Sequence, residues 1–248
     1  MSAPPTVDVV PIFATPFGVV TLPAAQELNA ELTALFTARA SDKWRDPRSP
    51  RTAHTFSSRD DLAEWPEEPV RRLIGEMLRG VSSVAASVSE MDGAQLAALR
   101  IEARVWFTIV GSDGSVPSTS YPNTSWIGMY CVAAPAPAAA RLDSGVLRMH
   151  ESRLGTMFQD PASMAIRIPY RAGHYTWRPV VGQMAVFPAA ITHEIALVRS
   201  SGALVLVTAR VRFATLPAPA QGLALFAAAL GVREMASAEA VPFVYFQF

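Results

Sequence analysis

Ile101-Glu102-Ala103-Arg104-Val105-Trp106-Phe107-Thr108-Ile109-Val110, closed by a turn at Gly111–Gly114, marks the point where the chain changes texture. β-Branched and aromatic residues dominate the run and glycines end it, which is how a strand reads in sequence. Further strands are expected at Trp126–Ala133, Gly145–His150, Ala165–Ile168, Gln183–Phe187, His193–Val198 and Ala203–Phe213. Turn residues separate them at short intervals, the rhythm of an antiparallel barrel or jelly roll. No repeat with a period of about 20–50 residues is present, which excludes a solenoid.

Upstream of Arg100 the spacing is helical. Pro23 opens a helix that carries Leu28, Leu32, Leu35 and Phe36 along one face. Ser41–Arg59 is polar, basic and broken by prolines, and reads as a surface loop. A second helix is expected from Pro66, with Glu67 and Glu68 at its positive end. Its apolar stripe is Val70, Leu73, Ile74, Met77, Val81 and Val84. A short helical piece after Asp92 and Gly93 carries Leu96 and Leu99, and Val7–Val20, with Pro11 and Pro16, reads as an edge strand and turn.

The expected architecture is α+β, a jelly roll with N-terminal helices buttressing one face. A single domain over 1–248 divides into a strand and helices (1–99), a jelly-roll core (100–213) and a C-terminal extension (214–248). The extension contains the apolar stretches Leu223–Leu230 and Val241–Phe248. Exposing such a terminus is costly, so it is expected to pack on the helices or across a homodimer interface.

Composition narrows the function classes. Half of the 248 residues are hydrophobic and 17% are charged, enough for a sizeable core. Twenty-one basic and 21 acidic residues cancel, which argues against a nucleic-acid partner. No apolar run reaches the roughly 18–20 residues of a membrane helix. Met1-Ser2-Ala3-Pro4-Pro5 carries no secretory pattern, so a cytoplasmic location is expected. Cys131 is the single cysteine, which rules out an intrachain disulfide and a cysteine zinc site. Four histidines, His54, His150, His174 and His193, are the whole supply for imidazole chemistry.

The strongest site signal is Pro179-Val180-Val181-Gly182-Gln183-Met184-Ala185-Val186-Phe187-Pro188-Ala189-Ala190-Ile191-Thr192-His193-Glu194-Ile195. A glycine turn leads into an apolar strand, proline ends it, and a histidine opens the next strand. Neutral imidazole is a common transition-metal ligand, and a strand end at a jelly-roll mouth is a good place to present one.

This segment resembles the distal-histidine region of a bacterial family of 2-oxoglutarate- and iron(II)-dependent oxygenases. Thr55–Trp65 looks like that family's entry to the second helix, and Val105–Val110 resembles its tryptophan-bearing strand. Trp126–Val132 is similar to its "Trp/Leu-Ser-Gly-Val-Tyr-Tyr-Val" strand, while Gly145-Val146-Leu147 and Arg153 lie where it has "Gly-x-Leu … Asp-Pro-Arg". The similarity runs in order over about residues 7–213.

The resemblance implies a double-stranded β-helix, a small-molecule substrate, and iron(II) and 2-oxoglutarate as cofactors. Iron(II) in this class takes two histidines and one carboxylate. Matching Pro122 and Asn123 to the family's "His-x-His/Asp-Pro" loop places Thr119 and Tyr121 at the first two ligand positions, with His193 at the third. Threonine is a weak iron ligand, and tyrosine has to bind as phenolate. The family's 2-oxoglutarate arginine maps near Gly202 or Ala203. Arg199 and Arg210 are the candidates to replace it, with Arg212 on the same face as Arg210. Relocated iron ligands are the alternative, with His150 and Glu151 completing a shell around His193 and His174 as a spare.

Two functional readings stay open. One is a dioxygenase with degenerate metal ligands acting on an unknown small molecule. The other is a catalytically silent or metal-free jelly-roll protein: a pseudoenzyme, a binding module or a non-redox enzyme.

Overall fold

Strand alternation sorts the side chains of this protein into a helix-facing layer and an inward-facing layer. The computed structural model describes residues 14–23, 25–136, 143–150 and 173–214, with positions 226, 227 and 230. In chain order the elements are β1 (Gly18–Thr21), α1 (Ala25–Ala38), β2 (Thr55–Ser57), α2 (Glu68–Ser87), α3 (Gly93–Ala97), β3 (Arg100–Val110), β4 (Val116–Thr119), β5 (Trp126–Ala133), β6 (Leu147–His150), β7 (His174–Trp177), β8 (Gln183–Pro188), β9 (Thr192–Ile195) and β10 (Leu204–Ala214). They form a larger sheet, β1-β8-β5-β10-β3-β2, and a smaller one, β4-β9-β6-β7, with antiparallel neighbours throughout. The two sheets make a double-stranded β-helix, with the helices packed on the outside of the larger sheet.

β10 shows the sorting most clearly. Val205, Val207, Ala209 and Val211 join the cluster shared with α1 and α2. Leu204 and Leu206 join a second cluster that fills the space between the sheets, with Met129, Leu147, Met149 and Phe187. Both faces are covered, so the strand reads as an almost unbroken apolar run. Thr208 and Arg210 continue the inward face.

The helices are held by the stripes their spacing promised. α1 buries Leu28, Leu32 and Phe36, and α2 buries Val70, Leu73, Met77 and Val81, with Ile74 and Val84 half-buried. α2 starts at Glu68, two residues later than Pro66, with Pro69 in its first turn. Glycine lets α2 approach the sheet. A Cβ on Gly80 would stand 2.6 Å from the Met184 methyl, and one on Gly128 would stand 2.9 Å from Val81. α3 is capped by Asp92 and Gln95 in a reciprocal pair of hydrogen bonds.

The expected loop at 41–59 is corrected by β2, which pairs with β3 at the sheet edge through Thr55↔Val110 and Ser57↔Thr108. The strand at β9 stops at Ile195 rather than Val198. β4, short and carrying Pro117, was not anticipated as a strand. Ala165–Ile168 and the tail Val241–Phe248 lie outside the described residues. No helix among the described residues is long and apolar enough to cross a membrane.

One buried polar contact ties helix to sheet. The Tyr130 hydroxyl donates to Asn29 Oδ1 at 2.8 Å, with both residues buried. Tyr130→Phe should leave that oxygen without a donor and cost about 1–2 kcal/mol in denaturant unfolding. A change within error would mean that the oxygen reaches water.

Candidate functional site

The inward face of β3 and β10 and the β4–β9 pair enclose a cavity of about 330 Å³. Trp106 and Thr108 reach it from β3, and Leu206, Thr208 and Arg210 from β10. Thr119 comes from the end of β4, Tyr121 from the following turn, and His193 from β9. Residues 46–60 fold across the open side and add Arg48, Asp46 and Asp60.

The three positions singled out on the resemblance come together. Thr119 is the direct cross-strand partner of His193. The Tyr121 ring lies 6.0 Å from the imidazole, centroid to centroid, and Phe187 presents an edge to the imidazole at 5.0 Å. The Tyr121 N–H donates to the Ala189 carbonyl at 2.8 Å, which fastens its turn against the hairpin leading into β9. Met149 and Phe187 wall the imidazole from behind.

Chemically the trio is one imidazole, one phenol and one hydroxyl. His193 is 3% exposed, and its Nδ1 lies 2.9 Å from the Ile191 carbonyl. A carbonyl can only accept, so Nδ1 carries the proton and Nε2 keeps its lone pair. Burial pushes His193 below its ordinary value of 6.5, and the Ile191 hydrogen bond opposes this. Burial also raises the Tyr121 phenol above 10.0, against a hydrogen bond with Thr119 and the charge of Arg210. At neutral pH the trio is therefore uncharged.

The His193 shift has a pH signature. An unfolded imidazole takes up its proton near 6.5, whereas the folded one does so only at lower pH. Between those values the unfolded chain binds more protons, so this contribution is complete above about pH 6.5 and is lost as pH falls. His193→Gln should flatten the dependence of unfolding free energy on pH below about 6.5. A slope equal to that of the parent protein would mean that the imidazole is solvated.

The two arginine candidates separate. Arg210 Nη2 lies 3.0 Å from Asp60 Oδ2, and its guanidinium sits 5.0 Å from the Tyr121 ring centre and 5.6 Å from that of Trp106. Arg48 bonds Asp46 at 3.1 Å and Asp60 at 3.4 Å, so the ion pairs run on across the mouth. Arg199 does not line the cavity. It lies after β9, half-exposed, with its Nη1 3.2 Å from Asp113. Gly202 and Ala203, where the resemblance maps the 2-oxoglutarate arginine, stand just before β10 and do not line the cavity.

Of the relocated shell, the described His150 and the spare His174 do not stand beside His193. Alternation turns His150 to the outer face of the smaller sheet, where its Nε2 lies 3.7 Å from Glu194 Oε2 and Arg148 bonds the other oxygen at 2.6 Å. His174 is exposed directly across from His150. Glu151 and Arg153 lie outside the described residues. His54 sits exposed in a turn at φ +57°. Among the described residues, no group of three or more His, Cys, Asp and Glu side chains gathers where it could hold a metal ion.

Of the other aromatics, Tyr130 is core and Trp126 packs against the helix-side cluster, while Trp177 packs against the inner one. Cys131 is buried, its thiol pushed up to about 12 by burial. Sequence reasoning missed Arg48, Asp46 and Asp60 as part of the site. The basic, proline-broken run at 41–59 was the available signal.

No family model matches the sequence, and no curated protein matches it. Solved structures do. A prolyl-4-hydroxylase from Pseudomonas putida is 12% identical, with 81% of this chain and 93% of that one covered and a TM-score of 0.53. The α-ketoglutarate-dependent carbocyclase SnoK from nogalamycin biosynthesis is 10% identical, covering 80% and 79%, with a TM-score of 0.53. HygX from Streptomyces hygroscopicus, with nickel, 2-oxoglutarate and hygromycin B bound, is 10% identical, covering 80% and 83%, with a TM-score of 0.51. The fold is that of the 2-oxoglutarate-dependent oxygenases. At these identities the likeness concerns the backbone, and the chemistry has to be read from the cavity itself.

Proposed function

We propose that this protein is a metal-independent binding protein on the oxygenase fold, whose cavity takes a small polar molecule without iron(II) or 2-oxoglutarate. The observation that carries the reading is the trio Thr119, Tyr121 and His193. These neighbouring residues, the ones the resemblance assigns to the ligand positions, form a donor set that does not fit iron(II). Two of the three donors are neutral oxygens, and Tyr121 is held away from the phenolate form by burial. A divalent iron centre is best served by imidazole and carboxylate together.

The acids near the trio are already engaged. Asp60 is held by Arg210 and Arg48, and Asp46 by Arg48. Glu194 projects to the far face of β9, where Arg148 holds it. The co-substrate fits no better, because Gly202 and Ala203, where the resemblance maps its arginine, carry no basic side chain. What remains is a concave, half-polar, aromatic-lined volume at the low end of the usual range for small-molecule sites.

Protein purified without chelator should contain no stoichiometric iron. It should show no heat of binding with 2-oxoglutarate, and no succinate should form from 2-oxoglutarate under air with added iron(II). Stoichiometric iron together with succinate production would establish the dioxygenase reading instead.

A further inference from the structure

We infer that the cavity's ligand is an uncharged, polyhydroxylated molecule of roughly monosaccharide size, bound through Arg210 and its neighbours. The inference rests on the preceding reading of the cavity as a metal-independent binding site and adds the class of ligand.

Charge balance is the first argument. Of the charged lining residues, Glu194 turns its carboxylate to Arg148 on the far face of β9. That leaves two guanidinium and two carboxylate groups at the mouth, each with its counter-ion among the others. Arg210 pairs with Asp60, and Arg48 with Asp60 and Asp46. A ligand anion would give up its hydration and meet, among the described lining residues, no cation that is not already neutralised. A ligand cation would find the charge of both aspartates already balanced by arginine. Moving an ion into such a place is unfavourable without a new partner, whereas a neutral polar ligand brings no uncompensated charge.

The second argument is a missing partner. Arg210 Nε is buried and has no hydrogen-bond acceptor among the described residues, although Nη2 of the same guanidinium is bonded to Asp60. An unmet buried donor of this kind is uncommon and costly, and a small turn of the guanidinium in the cavity wall would bring it to a ligand oxygen. Beside it the Asp60 carboxylate accepts from two arginines and keeps further lone-pair directions. A donor and an acceptor this close match a pair of vicinal hydroxyls, one accepting from Arg210 and the other donating to Asp60.

The rest of the wall suits the same ligand. Thr108 and Thr208, each 4% exposed, place hydroxyls on the inward faces of β3 and β10. Hydroxyls both donate and accept, so they adapt to a ring of ligand hydroxyls. Trp106 lines the same wall and offers an apolar surface to the C–H face of a sugar or cyclitol ring.

The test uses the full chain, with tryptophan fluorescence and ligand-detected NMR as readouts. The probes are methyl glucoside, methyl galactoside, methyl mannoside and myo-inositol, with succinate and benzoate as carboxylates. At least one polyol should bind in the millimolar range or tighter, and neither carboxylate should. Arg210→Met should weaken that polyol about tenfold or more, as the loss of a hydrogen bond from a charged donor implies. Arg210→Met also strips Asp60 of a partner, so Thr208→Val serves as a second variant that buries no charge and should weaken binding as well.

Failure of every polyol to bind overturns the inference, as does unchanged affinity in both variants. A carboxylate that binds and depends on Arg210 overturns it in favour of an anion site. Protein that is free of iron yet binds none of the polyols sinks this inference and leaves the preceding reading standing. Stoichiometric iron with succinate production sinks both.

Discussion

Phe107→Ala should cost about 3–5 kcal/mol of stability, the largest loss expected for a single change in this chain. Phe107 is fully buried on the helix-facing side of β3. Its ring stacks on Phe36 of α1 at 4.3 Å and 10° between planes, and meets Phe56 of β2 at 5.4 Å and Trp65 at 6.1 Å. Four segments distant in sequence therefore share one side chain. Its removal leaves a cavity that rigid neighbours on a helix, a strand and the turn before α2 cannot close, so the loss should sit at the top of the large-to-small range. Guanidinium unfolding followed by circular dichroism reads this directly. A loss below about 1.5 kcal/mol would mean that α1 moves in to fill the space. Trp106 and Thr108, the neighbours of Phe107 in sequence, face the cavity on the other side of the sheet, so the folded variant should keep its ligand affinity.

Phe107 also shows why the fold was legible. The strands that mattered most, β3, β5 and β10, are covered by helices on one side and by the smaller sheet on the other. Selection for two buried faces gives each of them a continuous apolar and β-branched run that stands out against polar turns. α1 and α2 were readable for the complementary reason, since each has one buried stripe at helical spacing. The elements that escaped notice are short, polar edge strands. β2 is Thr-Phe-Ser with one buried residue, and β4 contains a proline, so neither carries a periodic signal long enough to count.

The site was half legible. His193 announces itself, because a histidine opening a strand after an apolar run and a proline is an unusual placement. That Thr119 faces it followed from the resemblance alone, because cross-strand register is not written in local sequence. Arg199 already read as turn and Arg210 as strand, but which of the two reaches the cavity was not legible. Alternation places a side chain only once the strand's start is known, and Arg199 lies in the connection before β10 while Arg210 lies within it. The pairing of Arg210 with Asp60 spans 150 residues and leaves no mark on either neighbourhood. The ion pairs that set the cavity's charge balance were therefore invisible until the 46–60 segment was seen to fold across the mouth.

That placement gives the second large effect. The double variant Thr119→His with Tyr121→Asp should bind iron(II), or cobalt(II) as a spectroscopic stand-in, at least about 100-fold more tightly than the parent. Thr119 is the direct partner of His193 across the β4–β9 pair, so an imidazole there starts on the same inward face as the existing one. Tyr121 follows at a spacing of two with its ring 6.0 Å from His193, and a shorter aspartate would free room between them while adding the missing negative charge. Arg210, 5.0 Å from the Tyr121 ring, is the one neighbour that opposes the design, because it offers the new carboxylate a competing partner. Adding Arg210→Met should therefore strengthen metal binding further. If the double variant folds as the parent does yet shows no cobalt(II) visible absorption, with or without Arg210→Met, then the side chains at 119, 121 and 193 do not converge on one ion. The identification of Thr119 and Tyr121 with those sites would then fall.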